Sequence, residues 1–256
     1  IYAARYGMRT AIIEQMMGGA QIINIEKIEN YPGFPQGISG AELGPAVQEQ
    51  TLDSGVEFIM AEASVVTRSG SLFSITSDAG QYQAKAVIVA AGSSFRQLGI
   101  PGEEEMIGRG ISNCATCDGP LFMDQTVGVI GGGDSAADEA LTLTEDVKKV
   151  LLFNRGEESR AQQVLQDRLH ANPKVEVVWN ILVERVLGDE TVSGVAVRNT
   201  ATNLESQVVL AGLFVFVGLQ PGSELVKDLV SLDNAGHIPV DISMATPVLG
   251  LYAVGD

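Results

Sequence analysis

The chain has 256 residues, 45% of them apolar and 19% charged, with a formal net charge of -16. That length suits one large α/β domain or two ordinary ones with a real core. The acidic balance argues against nucleic acid or an anionic membrane as the main partner. No apolar run is long enough to cross a bilayer, and the N-terminus lacks the regions of a signal peptide.

Short apolar runs alternate with helix-like stretches from end to end, the pattern of an α/β fold. A helix ends near Tyr6-Gly7, and residues 10–14 read as the buried strand after it. Further strands are expected at 84–90, 126–130, 149–153, 175–179, 192–198, 213–217 and 251–254. A dinucleotide-type βαβ unit begins mid-chain at Thr126, and the segments on either side read as halves of something else. The expected architecture is therefore two Rossmann-like nucleotide-binding domains, one inserted into the other, of three-layer ββα type. Gly108-Arg109-Gly110 and Gly218-Leu219-Gln220-Pro221-Gly222 are the natural linkers. The chain opens inside a helix, without the glycine-rich turn expected ahead of it, and closes on Gly255-Asp256, which would lead into another. It reads as trimmed at both ends.

The clearest motif runs Val127-Gly128-Val129-Ile130-Gly131-Gly132-Gly133-Asp134-Ser135-Ala136: a strand, a Gly-x-Gly-x-x-Ala turn and a helix start. The first glycine makes the tight turn and the second lets backbone approach a pyrophosphate. Ala136 lets helix pack close to strand, and the pyrophosphate sits at the helix N-terminus. With a second strand at the right distance, the segment is read as nucleotide-binding, against a plain structural turn. Past that strand, Asn154-Arg155-Gly156-Glu157-Glu158-Ser159-Arg160 stands where an acidic residue would hold a ribose, or arginines a 2'-phosphate. Arg155 and Arg160 are candidates for half of a phosphate clamp, against solvated surface arginines.

The two cysteines lie in Asn113-Cys114-Ala115-Thr116-Cys117-Asp118-Gly119. Their spacing suits reversible disulfide formation in a reducing, cytoplasmic compartment, and Asp118 is placed to exchange protons with a leaving thiolate. Zinc would need two further ligands, and His170 and His237 are isolated, which argues against a metal. Glu14 ends a strand about where an acidic ribose ligand would follow a lost glycine turn, against an exposed strand-end charge. Glu29-Asn30-Tyr31-Pro32-Gly33 reads locally as a polar turn.

Taken together, these residues resemble the low-molecular-weight thioredoxin reductases over the whole chain. Cys114-Ala115-Thr116-Cys117-Asp118-Gly119 is similar to their active-site motif, and Gly131 to Ala140, with Asp134 and Ser135, to their NADPH-binding segment. Glu29 to Gly33, Ala90-Ala91-Gly92 and Leu251-Tyr252-Ala253-Val254-Gly255-Asp256 are similar to their FAD-contact segments. The resemblance implies electron flow from NADPH through FAD to the Cys114–Cys117 disulfide and on to thioredoxin or a thioredoxin-like protein, in a homodimer. It implies Cys117 as the flavin-side thiol, Cys114 as the attacking thiol and Asp118 as acid/base. It also implies flavin contacts from Gln21, Asn30 and Asp256, with Glu14 at the adenosine ribose. Residues 1–111 and 219–256 would form the FAD-binding domain, and 112–218 the NAD(P)H-binding domain. Three departures stand out. Asn154-Arg155-Gly156 replaces the family's His-Arg-Arg, which opens NADH as a donor. Gly19-Ala20-Gln21 replaces its usual Gly-Gly-Gln, and the N-terminal pyrophosphate loop is absent from this chain. The other readings are a related flavin disulfide reductase with a different donor or acceptor, and a non-catalytic nucleotide-binding homologue.

Overall fold

The computed structural model describes every residue except Met17, Gly19 and Asp256, and the side chains of Ala20 and Gln21 also lie outside the description. Two compact units emerge: Ile1–Ser94 with Gln220–Asp256, and Phe95–Leu219 inserted between them.

The inserted unit is built on a five-stranded parallel sheet. From one edge its strands are Val175–Val178, Lys149–Phe153, Thr126–Ile130, Gly212–Val215 and Ile111–Ser112. Side chains along a strand alternate between faces, and here both faces are apolar. Val127, Val129, Val150, Leu152 and Phe214 join a core with Ala136, Ala137, Ala140 and Leu143 of the helix Asp134–Leu143. Ile130, Phe153, Leu213 and Val215 join another core with Val183, Val186, Val195 and Val197. That second set belongs to an antiparallel meander of Ile181–Leu187, Gly194–Asn199 and Glu205–Val209. Helices cover one face and the meander the other, giving three layers. Gly128 faces the meander because an added Cβ would stand 2.8 Å from Leu210 and 3.0 Å from Phe153.

The first unit carries its strands in smaller groups. Ala11–Glu14 pairs in parallel with Glu57–Met60, and Val87–Val89 with Leu251–Ala253. Ala63–Ser69, Leu72–Ser77 and Gly80–Ala84 form an antiparallel meander. Val66, Phe73 and Ile75 of the meander close a core with Val89, Leu251, Val226 and Val230. The 14-residue helix Gly40–Asp53 begins against the turn Ala20–Asn24, and only a glycine fits there, since a Cβ on Gly40 would lie 1.6 Å from the Ile22 carbonyl oxygen.

Two features differ from the sequence reading. The chain enters the inserted unit at Ser94–Phe95 and not near Gly108–Gly110. Met106 and Ile111 are buried in the meander-side core, and Val186 N–H donates to the Pro101 carbonyl, so residues 95–111 belong with the inserted unit. Gly110, expected as a linker, is a site of close approach, where a Cβ would fall 2.7 Å from Val192 Cβ. The strand expected at 84–90 is also two elements. Gly80–Ala84 pairs back to Leu72–Ser77, and Val87–Val89 then pairs in parallel with Leu251–Ala253. Among the described residues no helix is long and apolar enough to cross a membrane.

Candidate functional site

The glycine turn forms as its sequence requires. A Cβ on Gly131 would lie 2.5 Å from both Ala136 Cβ and the Phe216 carbonyl oxygen, so this position is closed to a side chain and Ala136 is as large as the next turn allows. A Cβ on Gly133 would meet nothing within 4 Å, so the backbone is open on the side from which a phosphate would approach. Asp134 and Ser135 begin the helix there, both exposed. The residues fit a dinucleotide pyrophosphate.

The loop after strand Lys149–Phe153 folds back on that turn. Arg160 N–H donates to the Gly132 carbonyl at 2.7 Å, and the Ser159 hydroxyl reaches the same oxygen at 3.4 Å. Asn154 is buried and shapes the loop from within: its Oδ1 accepts from Gly156 N–H at 3.1 Å and its Nδ2 donates to the Glu158 carbonyl at 3.2 Å. Asn154 is thereby committed to the backbone, while Arg155, Glu157, Glu158 and Arg160 are exposed. Asp134, expected to contact nucleotide, accepts from Gln162 twice, from N–H at 2.7 Å and from Nε2 at 2.8 Å. The Gln162 side chain and backbone amide hold the Asp134 carboxyl below the usual aspartate range.

Cys114 and Cys117 form a disulfide, with Cα atoms 5.3 Å apart. Cys114 caps the single helical turn Ala115–Asp118, its Sγ accepting from Cys117 N–H at 3.2 Å. The Ser112 hydroxyl accepts from Cys114 N–H at 3.0 Å, and Asn113 Nδ2 donates to the Val215 carbonyl. Ala115, 1% exposed, gives its N–H to Glu139 Oε2 at 2.8 Å. Burial pushes the Glu139 carboxyl above the usual carboxylate range, the bond from Ala115 opposing and nearby Asp138 adding to the rise. Cys117 is exposed, and Cys114 and Asp118 are partly buried. Glu139 sits on the helix that follows the glycine turn, so one element carries both features. Sequence reasoning missed Glu139, Ser112, Asn113 and Gln162. A helix spacing that puts Glu139 one turn beyond Ser135 was the available signal for Glu139, and nothing local marked the rest. Among the described residues no three His, Cys, Asp or Glu side chains gather as a metal cluster.

The expected flavin positions lie in the first unit. Glu14 ends strand Ala11–Glu14 and accepts from Met16 N–H at 3.2 Å. Gln21 lies in the turn Ala20–Asn24, and Asn30 is exposed in a bend. Ala91 and Gly92 follow strand Val87–Val89, where Gly222 packs so closely that a Cβ would lie 2.9 Å from the Ala91 carbonyl oxygen. Gly92 (φ +62°) and Gly255 (φ +94°) turn the chain with open space beside them, which fits backbone approach by a cofactor. Gly19 and Asp256, the remaining expected contacts, lie outside the described residues.

The family described as pyridine nucleotide-disulphide oxidoreductase matches residues 1–256. The chain is 39% identical to the thioredoxin reductase of Treponema pallidum (strain Nichols), covering all of this chain and 83% of that protein. It is 42% identical to the bifunctional thioredoxin reductase/thioredoxin of Mycobacterium leprae (strain TN), of which it spans 56%. Among solved structures, Lactococcus lactis thioredoxin reductase superposes with a TM-score of 0.97 at 38% identity, over the whole chain and 84% of that one. The T. acidophilum thioredoxin reductase gives 0.94 at 32% identity, again over the whole chain and 84% of that one.

Proposed function

The chain belongs to the pyridine nucleotide-disulphide oxidoreductase family, among the thioredoxin reductases, and we propose that it moves electrons from NAD(P)H through FAD to the Cys114–Cys117 disulfide and on to thioredoxin or a thioredoxin-like protein. The observation that carries this reading is a Cys-x-x-Cys disulfide pinned to the helix that starts at the dinucleotide turn. FAD would be held by the first unit through Glu14, Gln21, Asn30, Ala91, Gly92, Gly255 and Asp256 and would supply two-electron chemistry.

The inserted unit is the NAD(P)H-binding domain. Gly131, Gly132 and Gly133 let the pyrophosphate approach the backbone, and Ser135 lies in the first helical turn beside it. Arg155 and Arg160, exposed on the loop that Asn154 and Gln162 hold in place, would bind a 2'-phosphate and so favour NADPH. Glu157 and Glu158 beside them are the reason NADH is the second candidate donor.

In the reduced pair the Cys114 thiolate attacks one sulfur of the thioredoxin disulfide, and the other leaves with its electron pair. Cys117 then attacks Cys114 Sγ, which reforms the intramolecular disulfide and releases the second thioredoxin sulfur. Asp118 supplies the proton to the departing thiolate. The roles of the two cysteines follow their order in the motif, not their exposure, since Cys117 is the more open of the two. We assign the protein to the cytoplasm as a homodimer.

The deciding experiment replaces Cys117 by Ser in flavin-loaded protein. NADPH should still bleach the flavin absorbance under anaerobic conditions, while thioredoxin reduction falls to background. Turnover with thioredoxin at the wild-type rate would end this assignment. In the unmodified protein, bleaching should consume more than one two-electron equivalent per flavin.

A further inference from the structure

Contacts of different kinds hold the turn that carries the redox pair. The Ser112 hydroxyl takes Cys114 N–H, and Asn113 Nδ2 donates to the Val215 carbonyl. Cys114 Sγ takes Cys117 N–H, and Glu139 takes Ala115 N–H. The last comes from a carboxyl group. Glu139 lies 24 residues along the chain on a ten-residue helix whose Ala136, Ala137, Ala140 and Leu143 are buried in the same core as Ala115. Packing of that helix holds the backbone that carries Glu139 in place beside the turn. Ala115 is the residue directly after Cys114, inside the loop that the disulfide closes, and it is almost completely enclosed. Its amide loses this acceptor if Glu139 is removed, and an orphaned buried N–H is costly.

We propose that Glu139 is a positioning residue for the redox pair, holding the Ala115 amide so that Cys114 and Cys117 keep their pairing distance after the disulfide is reduced. This rests on the reading of Cys114–Cys117 as the redox centre. The disulfide itself fixes the turn while it exists. Reduction adds two electrons and two protons, breaks the S–S bond and frees both side chains, and from then on noncovalent contacts alone keep the sulfurs near one another. A turn held ready in the dithiol loses less freedom when the bond reforms, which favours the disulfide and makes the dithiol the stronger reductant. The same helix begins at the glycine turn, so the dithiol and the nucleotide share one rigid support.

The test uses flavin-loaded chain equilibrated anaerobically with mixtures of reduced and oxidised dithiothreitol. The two cysteines, the only ones in the chain, are then trapped by alkylation and counted by mass. Neither nicotinamide nor thioredoxin is present, so the outcome is independent of donor and acceptor assignments. Glu139→Ala should shift the equilibrium toward the dithiol by about fivefold or more, the scale of the conformational entropy of one further residue that the freed turn must give up when the bond reforms. Glu139→Gln, which keeps an acceptor oxygen of nearly the same reach, should recover to within about threefold of the wild type. An unshifted equilibrium in a folded Glu139→Ala protein overturns the proposal. So does a Gln variant as impaired as the Ala one, because the acceptor would then not be what matters. Should Glu139→Ala fail to fold, hydrogen exchange in the dithiothreitol-reduced wild type decides: the Ala115 amide should remain strongly protected after reduction, and rapid exchange there overturns the proposal without any variant.

Discussion

The two units use parallel strands in contrasting ways. In the inserted unit five of them lie side by side and both faces are covered, by helices on one side and a meander on the other. In the first unit of this chain, which spans 83% of the Treponema pallidum relative, parallel strands come as two separate pairs, and Met60 and Ile88 on them are 66% and 62% exposed. The glycine turn of the inserted unit is consequently enclosed at Gly131 by Ala136 and Phe216. The expected flavin contacts of the first unit sit instead on open turns such as Gly92 and Gly255. A sheet buried on both faces fixes the loop at its strand ends by packing, whereas an open turn is fixed mainly by its own backbone conformation.

Removing a ring from each core should give the largest effects. Phe214, met edge-on by Phe122 at 5.7 Å, and Phe73 are both fully buried. Replacement by Ala should cost about 3–5 kcal/mol in urea unfolding. Phe214→Ala should reach the upper end, because parallel strands on both sides prevent the cavity from closing. Equal costs would break the comparison. Next, Arg155→Ala should raise KM for NADPH about tenfold to a hundredfold while leaving KM for NADH nearly unchanged, the loss expected for one charged hydrogen bond to phosphate. A parallel rise for both nucleotides would separate Arg155 from the 2'-phosphate.

Glycine replacements sharpen the contrast between packed and open turns. Gly131→Ala should destabilise by about 1–3 kcal/mol through overpacking, seen as a lower urea midpoint with weakened nucleotide binding. Gly92→Ala meets nothing within 4 Å and should cost only about 1 kcal/mol, from its left-handed backbone. The smallest effect belongs to Asp134→Asn. Because the folded-state pKa of Asp134 is depressed, its contribution is present above the ordinary aspartate pKa and is lost as pH falls through the lower folded value. Its side chain is exposed, so the loss at neutral pH should be below about 1 kcal/mol. Unfolding at pH 7 and at acid pH should show the stability difference between the wild type and this variant shrinking on acidification.

The strands legible in the sequence include those buried on both faces, with the more exposed Ala11–Glu14 and the meander strand Gly194–Asn199 also marked by apolar runs. Residues 126–130 and 149–153 read as unbroken apolar runs because neither side meets water. Leu72–Ser77 and Ile181–Leu187 escape such a reading because meander strands alternate or mix polar residues, and such alternation is weak over a few positions. The boundary at 94–95 is hidden for another reason. Gly108 and Gly110 look like flexible punctuation, yet Gly110 is there to let Val192 come close. Of the site, the cysteines and the glycine turn are legible, since each is contiguous and its chemistry needs those residue types at that spacing.

By itself the sequence determined the α/β order of elements, the dinucleotide turn at Gly131–Gly133 and a cysteine pair able to close on itself. All are set by neighbours a few residues apart, where backbone geometry leaves little choice. Only the tertiary structure decided that Glu139 meets Ala115, that Gln162 occupies Asp134, and that Asn154 spends its amide on its own loop. The first two partners lie 24 and 28 residues apart, and which faces meet depends on how helix and loop pack over the sheet. Asn154 bonds locally, within a loop that Arg160 N–H also ties to the Gly132 carbonyl.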